Sequence, residues 1–394
     1  MNTQHCFDIQ HYGACPDGNT LSTVAIQKAI DACHEAGGGR VLCGPGAFLT
    51  GSLVLRSNVE LHVMAGCRLV GSTSLDDYEV LTADGFRTEN APERSAQSLV
   101  RAVDAENVAI TGPGELDGSG LAFYGTERVS GRFFAKPSTP RPRIVMFYRC
   151  RNVRFEETSF VDSPCWTMWL MKCEQVRIHR VRVIGDQRMI NNDGIDLDSC
   201  RDVVVSDCII KTGDDCLVLR ALGRVYDEPG VCENVTISNC VLDSWCQAVR
   251  VGCPGDSVIR NCTLSGLVIH SAANGIVFDN PRRYLPEGST GRADVHNISF
   301  SNVTIDCERV PIKVSVESGI ELPRLAALSF SDFRIRSGEP CRVEGSPETI
   351  VRHVSFSNMQ IDTYGEEAIV CRHCEGIQLR GVVLSNRRQE ATGA

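Results

Sequence analysis

Short segments of alternating apolar and polar residues recur along the chain: NVRFEETSF at 152–160, QVRIHRVRV at 175–183, DVVVSDCII at 202–210 and NVTISNCVL at 234–242. Later copies are NISFSNVTI at 297–305, HVSFSNMQI at 353–361 and GIQLRGVVL at 376–384. Anchored on Phe155, Ile178, Val205, Ile237, Ile259, Phe300, Phe330, Phe356 and Leu379, they are separated by 23, 27, 32, 22, 41, 30, 26 and 23 residues. A unit of this length with period-two alternation cannot bury its apolar face alone, so stacked coils around a continuous interior are expected: an all-β solenoid. A β-sandwich fits less well, because its strands come every 8–12 residues or so. The longest separations mark loops inserted on the coils, where a cleft is expected. STVAIQKAIDACHE at 22–35 has apolar residues at 24, 25, 26, 29, 30, 32 and 33 and reads as a helix. Ser22 is its expected N-cap and Gly37–Gly39 its stop. Laid across one end, it would cap the solenoid. The whole chain, 1–394, is expected to form one domain, with 386–394 a frayed tail.

Composition changes this picture little: 42% hydrophobic and 23% charged residues suit a globular core. A net charge of −9 argues against a nucleic-acid partner. Neither a signal-like start nor an apolar run of about 18 residues is present, so no membrane is expected and a cytoplasmic location is. The 20 cysteines are then expected to be reduced. Cys150, Cys173, Cys200, Cys232 and Cys374 each precede a strand-like segment by three residues, as small apolar side chains filling equivalent places in stacked turns. Cys371 and Cys374 form a lone CRHC pair, too little for a zinc site.

The chemistry concentrates in NNDGIDL at 191–197 and GDDCLVL at 213–219. Matching the two puts Asp193 and Asp215 at equivalent points one coil, about 4.8 Å, apart. Asp214 precedes Asp215 and points elsewhere. Three crowded carboxylates repel, so at least one should hold its proton above the usual range. A protonated acid beside an ionised one is what glycoside hydrolysis uses; a calcium site or plain turn-forming aspartates are the alternatives.

At this point the chain resembles glycoside hydrolase family 28, the polygalacturonase family, over roughly its whole length. The residues that carry the resemblance are FDIQHYGACPDG and the following cap segment, DSPCWTMWLMKCEQV at 162–176, NND at 191–193 and GDDC at 213–216. The resemblance implies a right-handed parallel β-helix of the pectin-lyase type, no cofactor and no metal, and a carbohydrate as partner. It makes Asp214 the general acid, with Asp193 and Asp215 holding and deprotonating water, and it implies inversion with carboxyl groups about 6.5–9.5 Å apart.

Two family motifs are missing. Gly-His-Gly aligns with Cys246-Gln247-Ala248, and Arg-Ile-Lys with Val277-Phe278-Asp279. Ordinary polygalacturonase activity is therefore not expected; a plant-wall or host-glycan fragment is. Candidate substrate contacts are Asn191, Gln247 in the His position, Arg250, Trp166, Trp169 and Lys313. Arg250, Lys313 and Trp169 would share one outward column with Asp196, which is expected to be structural. Arg282, Arg283 and Tyr284 lie in the 41-residue insertion. Two rival functions remain open, a polysaccharide lyase and a carbohydrate-binding solenoid without turnover. The sequence does not indicate oligomeric state.

Overall fold

A computed structural model describes residues 5–129, 131–364 and 366–386. Of the expected tail at 386–394, Asn386 ends the strand Gln378–Asn386, paired with Thr363, and 387–394 lie outside the described residues. The chain winds as a right-handed parallel β-helix, with every rung of the solenoid paired in parallel register to the next. One coil shows the pattern: Ile195–Asp198 on the first face, Arg201–Ser206 on the second, Ile209–Thr212 on the third, then back to the first face at Leu217–Arg220. Eleven strands stack on the first face, from Leu53–Val54 to Ile369–Arg372.

The Asn-like residue that leads each repeat has a conformational cause. Asn107, Asn152, Gln175, Asp202, Asn234, Asn261 and Asn297 all have φ between 53° and 57°, a left-handed kink near the start of each second-face strand. Asn and Asp tolerate that region better than other side chains, since they can bond locally. Here they also bond along the stack: Asn152 Nδ2 donates to Asn107 Oδ1 at 2.7 Å, and Asn297 to Asn261 at 2.7 Å.

The inward residues form one continuous core. The anchor column runs Phe155, Ile178, Val205, Ile237, Leu264, Phe300, Phe330, Phe356 and Leu379. Leu264, not Ile259, is the fifth anchor. Ile259 stacks on Cys232 and Val295 instead. The insertion before Phe300 is correspondingly shorter, 36 residues from Leu264. Cys150, Cys173, Cys200 and Cys232 are buried and free, their thiols directed at backbone carbonyls; Cys374 is half-buried.

The helix Thr23–Glu35 lies against the first coils and buries Ile26, Ala29, Ile30 and Cys33. Val24 is not part of the stripe; it is 68% exposed. Ser22 precedes the helix, but its hydroxyl accepts from Cys15 N–H at 3.0 Å and does not cap it. Gly38 ends the helical segment at φ 113°, where a Cβ would stand 2.5 Å from the Asn58 carbonyl oxygen, so only glycine fits. No helix among the described residues is long and apolar enough to cross a membrane.

A second apolar cluster sits outside the solenoid. Leu81, Phe86, Leu222, Val225 and Tyr226 from two loops pack on Met146, Tyr148, Trp169 and Met171, which face outward from the first face. These loops wall off part of that face and turn its surface into a cleft.

Candidate active site

Asp193 and Asp215 meet as the spacing requires. Ile195 pairs with Leu217, and the Gly194 N–H donates to the Asp215 carbonyl at 2.8 Å. Gln247 continues the same column, since the Cys216 N–H donates to its carbonyl at 3.2 Å. All three aspartates line a cavity of about 130 Å³, together with Trp166, Asn191, Arg220, Arg250, Asp256 and Tyr284; Pro92, Glu93 and Arg224 form its rim.

Asn192 was not singled out from the sequence, yet it joins the two acidic turns. Its Oδ1 accepts from the N–H groups of Gly213 at 2.8 Å and Asp214 at 3.2 Å. Asp214 is held at both oxygens: Oδ2 accepts from the Asn191 N–H at 3.0 Å, and Oδ1 from the Asp215 N–H at 3.1 Å. Asn191 Nδ2 also reaches Oδ2 at 3.5 Å. Asp193 Oδ1 and Asp215 Oδ1 are buried without a hydrogen-bond partner among the described residues.

Burial and the neighbouring Asp214 raise Asp193 well above the carboxylate range and push Asp215 up to about 7; Arg250 and Arg220 pull Asp215 the other way. Because these groups interact strongly, the proton belongs to the cluster and not to one residue. Asp215 is harder to ionise in the fold than in the unfolded chain. Its contribution therefore favours folding below its ordinary value of 3.8 and is lost as the pH rises through about 7. Asp215→Asn should accordingly melt at a higher temperature than the wild type at pH 8, with the difference gone at pH 4. Equal melting temperatures at pH 8 would show that the carboxylate is not under this penalty.

Arg250 lies in the expected column between Val218 and Val277, and it is 5% exposed. Its Nη1 is 3.8 Å from Asp215 Oδ2, and its Nη2 donates to Cys253 Sγ at 3.4 Å. Arg220, missed in the sequence, donates to the same sulfur at 3.5 Å. It follows Leu219 on the strand that begins just after Asp215, so its proximity to the acids was readable from the repeat. Asp256 is fully buried with both oxygens unpartnered among the described residues, and burial lifts it to about 6. Asp196 is also fully buried with both oxygens unpartnered, opposite the charges of Arg220 and Arg143. It does not bond neighbouring turns.

Three expected sugar contacts fail for physical reasons. Trp169 is fully buried under the loop cluster, with its indole N–H donating to Asp198 at 3.1 Å. Trp166 reaches the cavity, but guanidinium groups cover its ring: Arg143 at 4.6 Å and Arg220 at 5.0 Å from a ring centroid. Lys313 occupies its predicted column two coils beyond Arg250, outside the cavity, and faces Asp279 at 3.6 Å. Gln247 stays beside Asp215, its Oε1 buried and unpartnered. Arg282 turns to Ser318, and Arg283 lies over Tyr284, which is the aromatic side chain of the insertion that lines the cavity.

The donor set does not suit calcium. Asp214, Asp215 and Cys246 bring ligand atoms within 4.8 Å of one another, but one is a thiol, whereas calcium takes about six to eight oxygens.

A family model described as glycosyl hydrolases family 28 matches residues 56–226. A probable polygalacturonase of Vitis vinifera is 28% identical over 244 residues, which is 60% of this chain but only about half, 48%, of that protein. A second probable polygalacturonase, from Arabidopsis thaliana, is 22% identical over 422 residues, covering 96% of this chain and 86% of the other. Among solved structures, a hyperthermoactive exopolygalacturonase from Thermotoga maritima has the same fold, with a TM-score of 0.69 at 23% identity over 95% of this chain and 92% of that one. With the NND and GDDC turns converging on one cleft, these likenesses support a glycoside hydrolase family 28 relationship, in a chain without the Gly-His-Gly and Arg-Ile-Lys motifs.

Proposed function

We propose that the protein is an inverting glycoside hydrolase acting on a pectin-like polysaccharide or its fragments, and not a standard polygalacturonase. The observation that carries this reading is the pair of unpartnered oxygens, Asp193 Oδ1 and Asp215 Oδ1, in one cleft with Asp214. A water between them makes the bonds that the protein leaves open. Asp214 donates a proton to the glycosidic oxygen while that water attacks the anomeric carbon from the opposite face. The water's proton passes to the Asp193–Asp215 pair, whose raised proton affinity suits a base, and later returns to Asp214.

The names of the plant relatives support a pectic substrate. Against ordinary galacturonan stands the replacement of the family's cations: Val277 and Asp279 take the Arg and Lys positions, and Asp279 adds a negative charge. Arg220 and Arg250, with Arg224 at the rim, are cleft cations available to meet a polar or acidic sugar.

A panel of pectic oligosaccharides of defined linkage, with products followed by chromatography, tests the reading. Hydrolysis of a branched or mixed-sugar fragment with higher kcat/KM than unbranched oligogalacturonide is expected. No cleavage of any, or an ultraviolet-absorbing unsaturated product, would contradict hydrolysis. Preference for unbranched galacturonan would contradict the substrate assignment.

A further inference from the structure

Arg141 lies outside every motif and is 1% exposed. A buried guanidinium is costly unless its donors are used. Its Nη1 donates to the carbonyls of Pro164 at 3.0 Å and Ile190 at 3.1 Å and to the Tyr124 hydroxyl. These carbonyls immediately precede Cys165-Trp166 and Asn191-Asn192-Asp193, so one cation fastens both turns that enter the cleft. Its Nη2 donates to Asn191 Oδ1 at 3.3 Å and lies 3.6 Å from Glu93 Oε2.

The bond to Asn191 has a directional consequence. An amide has one acceptor end and one donor end. With Oδ1 taken by Arg141, the Nδ2 end faces Asp214 Oδ2, 3.5 Å away, beside the Asn191 N–H at 3.0 Å. A flipped amide would set oxygen against carboxylate. Glu93, the counter-ion at the rim, has φ 59° and is followed by Arg94 at φ 55°. Two successive non-glycine residues in the left-handed region are costly, and they persist where surrounding contacts hold them. Lys136 pairs with the same Glu93 carboxylate.

We propose that Arg141 is a positioning residue for Asp214, acting through Asn191. The kinetic part of this proposal rests on the reading of Asp214 as the proton donor; the structural part does not. Besides Asn191, the groups facing Asp214 are Asp193, Asp215, Cys246 and Tyr124.

Two measurements on the full chain test it. The first is amide hydrogen exchange at Asn191, which needs no substrate. Arg141→Met should speed exchange at that amide by about tenfold or more while amides of the Phe330 coil stay unchanged. The second is kinetic: kcat should fall about tenfold to hundredfold with KM changed less than threefold, because the acid is no longer held in line with the departing oxygen. Arg141 acts through Asn191, so Arg141→Met added to Asn191→Ser should cost less than the product of the two single losses. Should Arg141→Met fail to fold, Arg141→Lys keeps the charge but cannot span both carbonyls and the amide, and the same two changes are expected at smaller size. Unchanged Asn191 exchange in a folded variant overturns the proposal, as do multiplicative losses in the double variant. If the wild type cleaves nothing, the hydrolase reading fails while the exchange result still decides the Arg141 link.

Discussion

Asp214→Asn is expected to lower kcat by about 10³-fold on a natural glycoside, with KM changed little. The substitution keeps shape and removes the transferable proton. Its surroundings should survive, because the turn is held mainly through backbone: Asn192 Oδ1 bonds the N–H groups of Gly213 and Asp214, and the Thr212 hydroxyl donates to the Asp214 carbonyl at 2.7 Å. The loss should depend on the leaving group. An aryl glycoside with an acidic phenol needs little protonation, so the variant should retain most of its rate there. An equal loss on both substrates would show that Asp214 does something other than protonate the departing oxygen. Activity unchanged on both would remove it from the chemistry.

Phe330→Ala is expected to cost about 3–5 kcal/mol of stability. Phe330 is fully buried and stacks on Phe300 at 5.5 Å and on Phe356 at 5.2 Å, each tilted by 13°. Phe278 and Phe333 meet its edge at 6.4 and 6.1 Å. In a solenoid each coil touches only its neighbours, so the lost ring weakens two coil interfaces and nothing fills the space from elsewhere. Urea unfolding should show the loss in the C-terminal coils first, with hydrolysis at low denaturant near the wild-type rate, since the acids lie several coils away. A change below about 1 kcal/mol would mean that the aromatic stack does not carry these coils.

The repeat was readable because two local rules coincide in it: apolar alternation, and an Asn, Asp or Gln at the left-handed position of most coils, with Ala327 and His353 as exceptions. Ile259 was misplaced as an anchor because Val258–Ser271 is one 14-residue strand spanning two faces, where the same alternation offers two registers. The meeting of Asp193 and Asp215 followed from coil register alone, and Arg250 from the same column. Trp166 and Trp169 show where the register stops being informative. Both were expected at the surface of the cleft, but loop residues such as Phe86 and Tyr226 cover Trp169, and guanidinium groups cover Trp166. Glu93, Arg141 and Asp256 sit in or beside non-repeating loops, so no periodic signal pointed to them. Their roles come from long-range contacts, such as the bond of Arg141 to Asn191, 50 residues along the chain.

The stereochemistry of the first product is the most direct measure of the water between Asp193 and Asp215. Proton NMR, started within seconds of adding enzyme to a cleavable glycoside, reads the anomeric proton before mutarotation scrambles it. Direct attack by that water predicts that the first-formed sugar has the opposite anomeric configuration to the substrate. A first-formed sugar with retained configuration would contradict the account, because it requires a carboxylate, and not water, to attack the anomeric carbon.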